Sequence, residues 1–172
     1  THTEMIRFDG RPIGHLPAHD VLRLGIALVP EGRKLFQSLS VQENLQIGAD
    51  FGRPGPWNLK RVFELFPVLA ERRAQPATSM SGGQQQMCAI GRALMSNPRL
   101  LLCDEISLGL APVVIRELYE RLAAISAEGT TLVIVEQDIN AAGQGARCRR
   151  ADRGRPRGHH RGIFRNMNSV GI

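Results

Sequence analysis

Leu100-Leu-Leu-Cys-Asp-Glu105 is a short apolar run that closes on two adjacent acids. Four apolar residues with no polar alternation fit a strand buried on both faces, which is how strands of a parallel sheet read. Two further segments have the same character, Ile26-Ala-Leu-Val29 and the β-branched Thr131-Leu-Val-Ile-Val135. Helical patterns lie between them. Leu59, Val62, Phe63, Phe66 and Leu69 recur at helical spacing after the Pro54-Gly55-Pro56 punctuation. Ile115, Leu118, Tyr119, Leu122 and Ile125 form a second stripe, opened by Pro112 and closed before Gly129, with Glu117 and Arg121 as an i, i+4 pair. Alternating strands and helices imply right-handed crossovers and an α/β fold, a parallel sheet covered on both faces. There is no internal repeat.

In such a fold Asp104 and Glu105 stand at the C-terminal edge of the sheet, where open α/β sheets bind ligands. Two adjacent acids there can divide the work: one holds Mg²⁺ through its water shell, the other orients a water for attack on phosphorus. The plain alternative is a strand that ends in solvated acids. A second constellation is Met80-Ser-Gly-Gly-Gln84, followed by a helix through about Ser96. Ser81 is a good N-cap, and paired glycines let an anion approach free amides at the positive end of the helix dipole. The alternative is a Ser-capped helix start with no ligand.

Composition bounds the reading. The 172 residues carry 22 Lys+Arg against 16 Asp+Glu, a net +6, and 42% are hydrophobic, enough for one ordinary core. The charge is uneven. Residues 141–172 hold eight arginines and only Asp152, so the whole excess lies in this last stretch and residues 1–140 are near neutral. Cys88, Cys103 and Cys148 make no CxxC pair, and no zinc-like spacing occurs in the first 140 residues. That sparse count fits reduced thiols. No apolar run approaches the length of a membrane span. Trp57, Phe63 and Phe66 read as packing residues, His15 and His19 as surface residues, and Cys103 as a small core residue. Thr1-His-Thr-Glu4 has neither an initiating Met nor a signal peptide and reads as a cut.

Taken together, Ser81-Gly-Gly-Gln-Gln-Gln86, Gly91-Arg-Ala-Leu94 and Leu100 to Glu105 resemble the signature and Walker B regions of ATP-binding cassette (ABC) ATPases. Val29-Pro-Glu-Gly-Arg33 with Val41-Gln-Glu-Asn-Leu45 resembles the Q-loop and the segment after it. Ser107-Leu-Gly-Leu-Ala-Pro112 resembles the D-loop, and Val135-Glu-Gln-Asp138 the switch. The resemblance runs from about Met5 to Ala142. Within the family these stretches are similar to the LivF-type ATPase subunit of branched-chain amino-acid importers. It implies a P-loop NTPase-like ABC domain over 1–142, with a helical signature subdomain at about 41–97.

The resemblance also implies roles. Asp104 would hold the Mg²⁺ of MgATP through water, and Glu105 would polarise the attacking water. Ser81, Gly82, Gly83 and Gln84 would contact a nucleotide held by a second ATPase subunit. Glu31 takes the Q-loop glutamine position, near Mg²⁺ and the membrane subunit. Gln137 takes the place of the switch histidine and, unlike it, cannot become a cation. Ile106 replaces the usual proline after the Walker B glutamate, and Ala111 stands where relatives carry the D-loop aspartate. Implied partners are the second ATPase subunit, transmembrane permease subunits and, indirectly, an external solute-binding protein. The implied location is cytoplasmic, on the inner face of the plasma membrane.

Two features depart from the family. No Gly-x-x-x-x-Gly-Lys-[Ser/Thr] occurs, and the only lysines, Lys34 and Lys60, lie outside any glycine-rich loop. The domain therefore reads as truncated at its N-terminal side, and this chain alone is expected to bind ATP poorly and to hydrolyse essentially none. Residues 143–172 are rich in Arg, Gly and Pro and are expected to be disordered, the pattern of a slipped reading frame in a GC-rich gene. Two other functions compete: nonspecific nucleic-acid binding through the basic tail, and an inactive product of gene decay. Nucleic acid is disfavoured, because Phe164 is the tail's only aromatic and base stacking is hardly provided for.

Overall fold

The computed structural model describes residues 6–136 and the backbone of residues 149–150 and 162–165. A two-stranded antiparallel hairpin comes first, β1 (Arg7–Phe8) and β2 (Arg11–Pro12). It turns at Asp9-Gly10, both at positive φ (49° and 75°), as a tight hairpin turn requires. Helix α1 (Ala18–Arg23) leads into the main sheet.

The three apolar runs form β3 (Ile26–Val29), β4 (Leu100–Asp104) and β5 (Thr131–Glu136), adjacent and parallel in that order. The register places Val29 beside Cys103 and Asp104 beside Val135. Their C-terminal ends therefore share one edge of the sheet. Leu101, Cys103, Leu132 and Ile134 are buried there, joined in one core by Leu118, Leu122 and Ile125 of α6 (Pro112–Ala127). The expected pair of Glu117 and Arg121 forms at 3.8 Å on the solvent side of α6. An exposed pair of this kind contributes about 0.3–0.5 kcal/mol.

Helices α2 (Val41–Ile47), α3 (Leu59–Leu65), α4 (Pro67–Glu71) and α5 (Gly82–Leu94) occupy the stretch before β4. The stripe from Leu59 to Leu69 is not one helix. Pro67 cannot continue α3, so the chain breaks at Phe66 (φ −126°, ψ 78°) and restarts as α4. The stripe still buries Val62, Phe66 and Leu69, because the break preserves the apolar face. Trp57 is also in the core, whereas His15 and His19 are exposed. Gly91 lets these helices meet: a Cβ there would lie 2.8 Å from both Leu45 Cδ2 and Val62 Cγ1.

The expectation for the last stretch needs one correction. Gly162–Arg165 forms a strand, β7, antiparallel to β5, and Arg149–Arg150 forms β6 outside it. The free edge of β5 offers unpaired backbone groups, and Ile163-Phe164 is the most strand-prone dipeptide available to fill it. The rest of 143–172 lies outside the described residues. Among the described residues, no helix is long and apolar enough to cross a membrane.

Candidate functional site at the sheet edge and the start of α5

Asp104 is the last residue of β4 and is partly exposed. Glu105 follows in a left-handed conformation (φ 48°), which a non-glycine residue holds only when its surroundings fix it. They do so here. The Glu105 amide donates to the Val135 carbonyl of β5 at 2.8 Å, and Ile106 behind it is buried. The turn carries Glu105 out of the pleat, and the residue is 8% exposed.

Beside it stands a carboxylate that sequence reasoning missed. Glu136 closes β5 and is 2% exposed. Its Oε1 accepts from the Ser107 amide (3.1 Å) and the Tyr119 hydroxyl (3.3 Å), and its Oε2 accepts from the Ser107 hydroxyl (2.7 Å). Burial pushes its carboxyl above the usual range. The three donors oppose that shift, and the nearby Glu105 adds to it. The signal was an acid ending a β-branched run, the same pattern that drew attention to Asp104. Gln137, the next residue, lies outside the described residues.

Glu31 leaves β3 at the same edge, two residues past Val29, and is exposed. Gly32, Arg33 and Lys34 after it all take positive φ (72°, 64° and 46°). Arg92 of α5 pins this unusual turn, donating to the carbonyls of Arg33 (3.1 Å) and Lys34 (2.8 Å).

The start of α5 is built differently. Ser81 is the N-cap: its Oγ accepts from the Gln84 amide (3.4 Å), and its own amide donates to Gln84 Oε1 (3.1 Å). Gln84 therefore serves the cap. The two glycines divide. Gly83 is buried, and a Cβ on it would lie 2.4 Å from Val114 Cγ1, so it is needed for α6 to approach α5. Gly82 remains partly open, with the Arg33 guanidinium beside it. Ser81 is exposed, and its cap bonds stay within α5.

The sheet edge thus carries Glu31, Asp104, Glu105 and Glu136, while Ser81 to Gln84 form the capped start of α5. The loop after Glu105 spans between them, with Ser107 held by Glu136 and Leu110 at the Gly82 end. Asp104 and Glu105 supply the hard carboxylate oxygens that Mg²⁺ prefers, few enough to leave room for water and phosphate oxygens.

The family profile described as ABC transporter matches residues 1–107. The chain belongs to the ABC transporter family. It is 49% identical over 139 residues to the high-affinity branched-chain amino acid transport ATP-binding protein BraG of Pseudomonas aeruginosa, covering 80% of this chain and 60% of that protein. It is 29% identical over 144 residues to a probable branched-chain amino acid transport ATP-binding protein LivF of Archaeoglobus fulgidus, covering 82% of this chain and 61% of that protein. The dimeric structure of a bacterial ABC transporter cassette superposes with a TM-score of 0.66 at 26% identity, covering 80% of this chain and 64% of that one. The α/β fold with its helical subdomain is accordingly that of an ABC cassette. The chain spans about three-fifths of the length of these two amino-acid transport relatives.

Proposed function

We propose that this chain is part of the ATP-hydrolysing subunit of an importer for branched-chain amino acids. The left-handed turn at Glu105, fixed between β4 and β5, is the observation that carries this reading. It supports a reading in which one carboxylate would meet Mg²⁺ and a second would orient water, a division that phosphoryl transfer uses. Asp104 would hold the metal, which would neutralise developing phosphate charge. Glu105 would take a proton from the attacking water, and Gln137 would hydrogen-bond the phosphate or the water. Likeness to BraG at 49% identity supports the substrate class.

The exposed Ser81, whose cap bonds stay within α5, supports a partner arrangement in which Ser81 to Gln84 would meet a nucleotide on a second subunit. A cavity of about 260 Å³ beside β3 has Leu28, Phe36, Ile47 and Arg92 among its lining residues. Leu28 (57%) and Phe36 (47%) are among the exposed large apolar residues of the described structure, and a membrane permease on this face would cover them from the cytoplasm. An external solute-binding protein would act through that permease. The 172-residue chain by itself would bind MgATP weakly, and calorimetry on it reads that directly.

The decisive experiment reconstitutes the full-length protein with its permease and solute-binding protein in liposomes. ATP-driven uptake of leucine, isoleucine or valine is expected, and Glu105→Gln should lower hydrolysis by about 10²-fold or more. Uptake of an unrelated solute overturns the substrate reading. Undiminished hydrolysis in Glu105→Gln overturns the role of Glu105.

A further inference from the structure

Glu136 does no work in the reaction as written above, yet it is the most enclosed acid among the described residues, 2% exposed against 8% for Glu105. An apolar side chain would fill this place with less desolvation cost, so a buried carboxylate here calls for a geometric reason. Its bonds supply one. Glu136 lies one residue beyond the last paired position of β5 with β4, Asp104 opposite Val135. From there its carboxylate crosses the end of β4 and takes both the amide and the hydroxyl of Ser107. The Tyr119 hydroxyl of α6 donates to the same carboxylate, at Oε1, at 3.3 Å.

Ser107 is two residues past Glu105, whose left-handed turn is fixed at its other end by Val135. Three residues further on, Leu110 packs at the start of α5, where a Cβ on Gly82 would stand 3.5 Å from Leu110 Cδ2. One carboxylate therefore anchors the stretch that joins the sheet edge to the signature helix, and the next residue in the chain is Gln137.

We propose that Glu136 is a positioning residue for ATP hydrolysis: by clamping Ser107 to the end of β5, it fixes the spacing between Glu105 and the start of α5. This rests on the ATPase reading above. Reactions governed by preorganised water and phosphate are steep in geometry, and a displacement of about 1 Å can cost about 10²-fold in rate. A clamp two residues from the water-orienting carboxylate acts in that range without touching the nucleotide.

The test uses the full-length protein assembled with its permease and compares Glu136→Gln, Ser107→Ala, their double variant and Tyr119→Phe. Glutamine keeps the shape and can accept from the Ser107 amide through its carbonyl oxygen, but its amide nitrogen is a donor, so the Ser107 hydroxyl must turn from donating to accepting and the charge-assisted bond is lost. Glu136→Gln is expected to lower kcat about tenfold or more with KM for ATP within about twofold, the mark of an interaction made only in the transition state. The double variant should be no slower than Glu136→Gln, because both changes open one clamp. An unchanged kcat with only a lower melting temperature overturns the proposal, as do losses that multiply in the double variant. If Glu136→Gln does not fold, Tyr119→Phe removes a single oxygen and should lower kcat about threefold by the same logic; no change in it overturns the proposal. Wild-type protein that binds ATP without hydrolysing it sinks the ATPase reading separately. The clamp is then decided by hydrogen exchange at the Ser107 amide, which Glu136→Ala, lacking any acceptor, should accelerate about tenfold if that bond is what protects it; unchanged exchange overturns the clamp.

Discussion

The sheet edge and the start of α5 both present side chains of the proposed site, but they are held by opposite means. At the edge, Glu105 is kept in a left-handed turn by a neighbouring strand, and Glu136 is satisfied by residues 17 and 29 positions away in sequence. At the start of α5 the cap is local, Ser81 and Gln84 closing on each other across three residues, and distant residues meet the glycines between them, Arg33 and Leu110 at Gly82 and Val114 at Gly83. The lesson concerns what each can tolerate. A long-range polar corner fails as a unit, because loss of one acceptor strands several buried donors. A local cap fails by itself and takes little else with it.

Substitutions sharpen that contrast. Glu136→Ala should have the largest effect on stability. It leaves the Ser107 amide and hydroxyl without their acceptor, and each such group left dry costs about 1–3 kcal/mol. Urea unfolding of the protein reads this, and a loss under about 1 kcal/mol would show that water repairs the corner. Gly83→Ala comes next. Its methyl would meet Val114 Cγ1 at 2.4 Å, so α6 must shift or Val114 must turn, at about 1–3 kcal/mol. The companion Val114→Ala should recover most of that loss, and failure to do so would place the strain elsewhere. Ser81→Ala should cost about 1 kcal/mol of stability through the lost cap. Under the proposed function it should also slow ATP hydrolysis by the protein assembled with its permease, whereas Ser40→Ala, the same change at the cap of α2, should cost stability alone.

How much could be read beforehand follows the same division. The three strands were legible because each is an uninterrupted apolar run, and Ser81 was legible because a cap is written within four residues. Periodicity carried the Leu59–Leu69 stripe straight through Pro67, since a proline at a helix start leaves the apolar spacing intact. The Asp9-Gly10 hairpin went unread because two-residue strands carry no alternation to detect. Gly83 looked like an anion contact, and its packing role needed Val114, 31 residues later, to be brought beside it. Glu136 stayed hidden for the same reason. Nothing near it in sequence names Ser107 or Tyr119 as its donors, and only the register of β4 against β5 brings them together.

The smallest effect compares two helix starts that share one motif. Ser40 and Glu43 form the same reciprocal box at α2 that Ser81 and Gln84 form at α5, but one closing side chain is ionisable and the other is not. The Ser40 hydroxyl (2.6 Å) and then its amide (2.8 Å) donate to Glu43 Oε2 and hold that carboxyl below its ordinary value of 4.5. A carboxyl lowered in the folded state adds stability that is fully present above the unfolded value and is lost as pH falls through the folded one. The α2 box should therefore loosen as acid is added below pH 4.5, while the α5 box, closed by a neutral amide, should not respond. Amide exchange at Ser40 and Ser81, corrected for the intrinsic pH dependence of exchange, separates the two. Falling protection at Ser40 with constant protection at Ser81 is expected, and Glu43→Gln should make α2 as indifferent to pH as α5. Equal loss at both starts would mean that acid opens the helical subdomain as a whole. The caps would then follow the packing around Leu45 and Gly91 in place of their own side-chain chemistry.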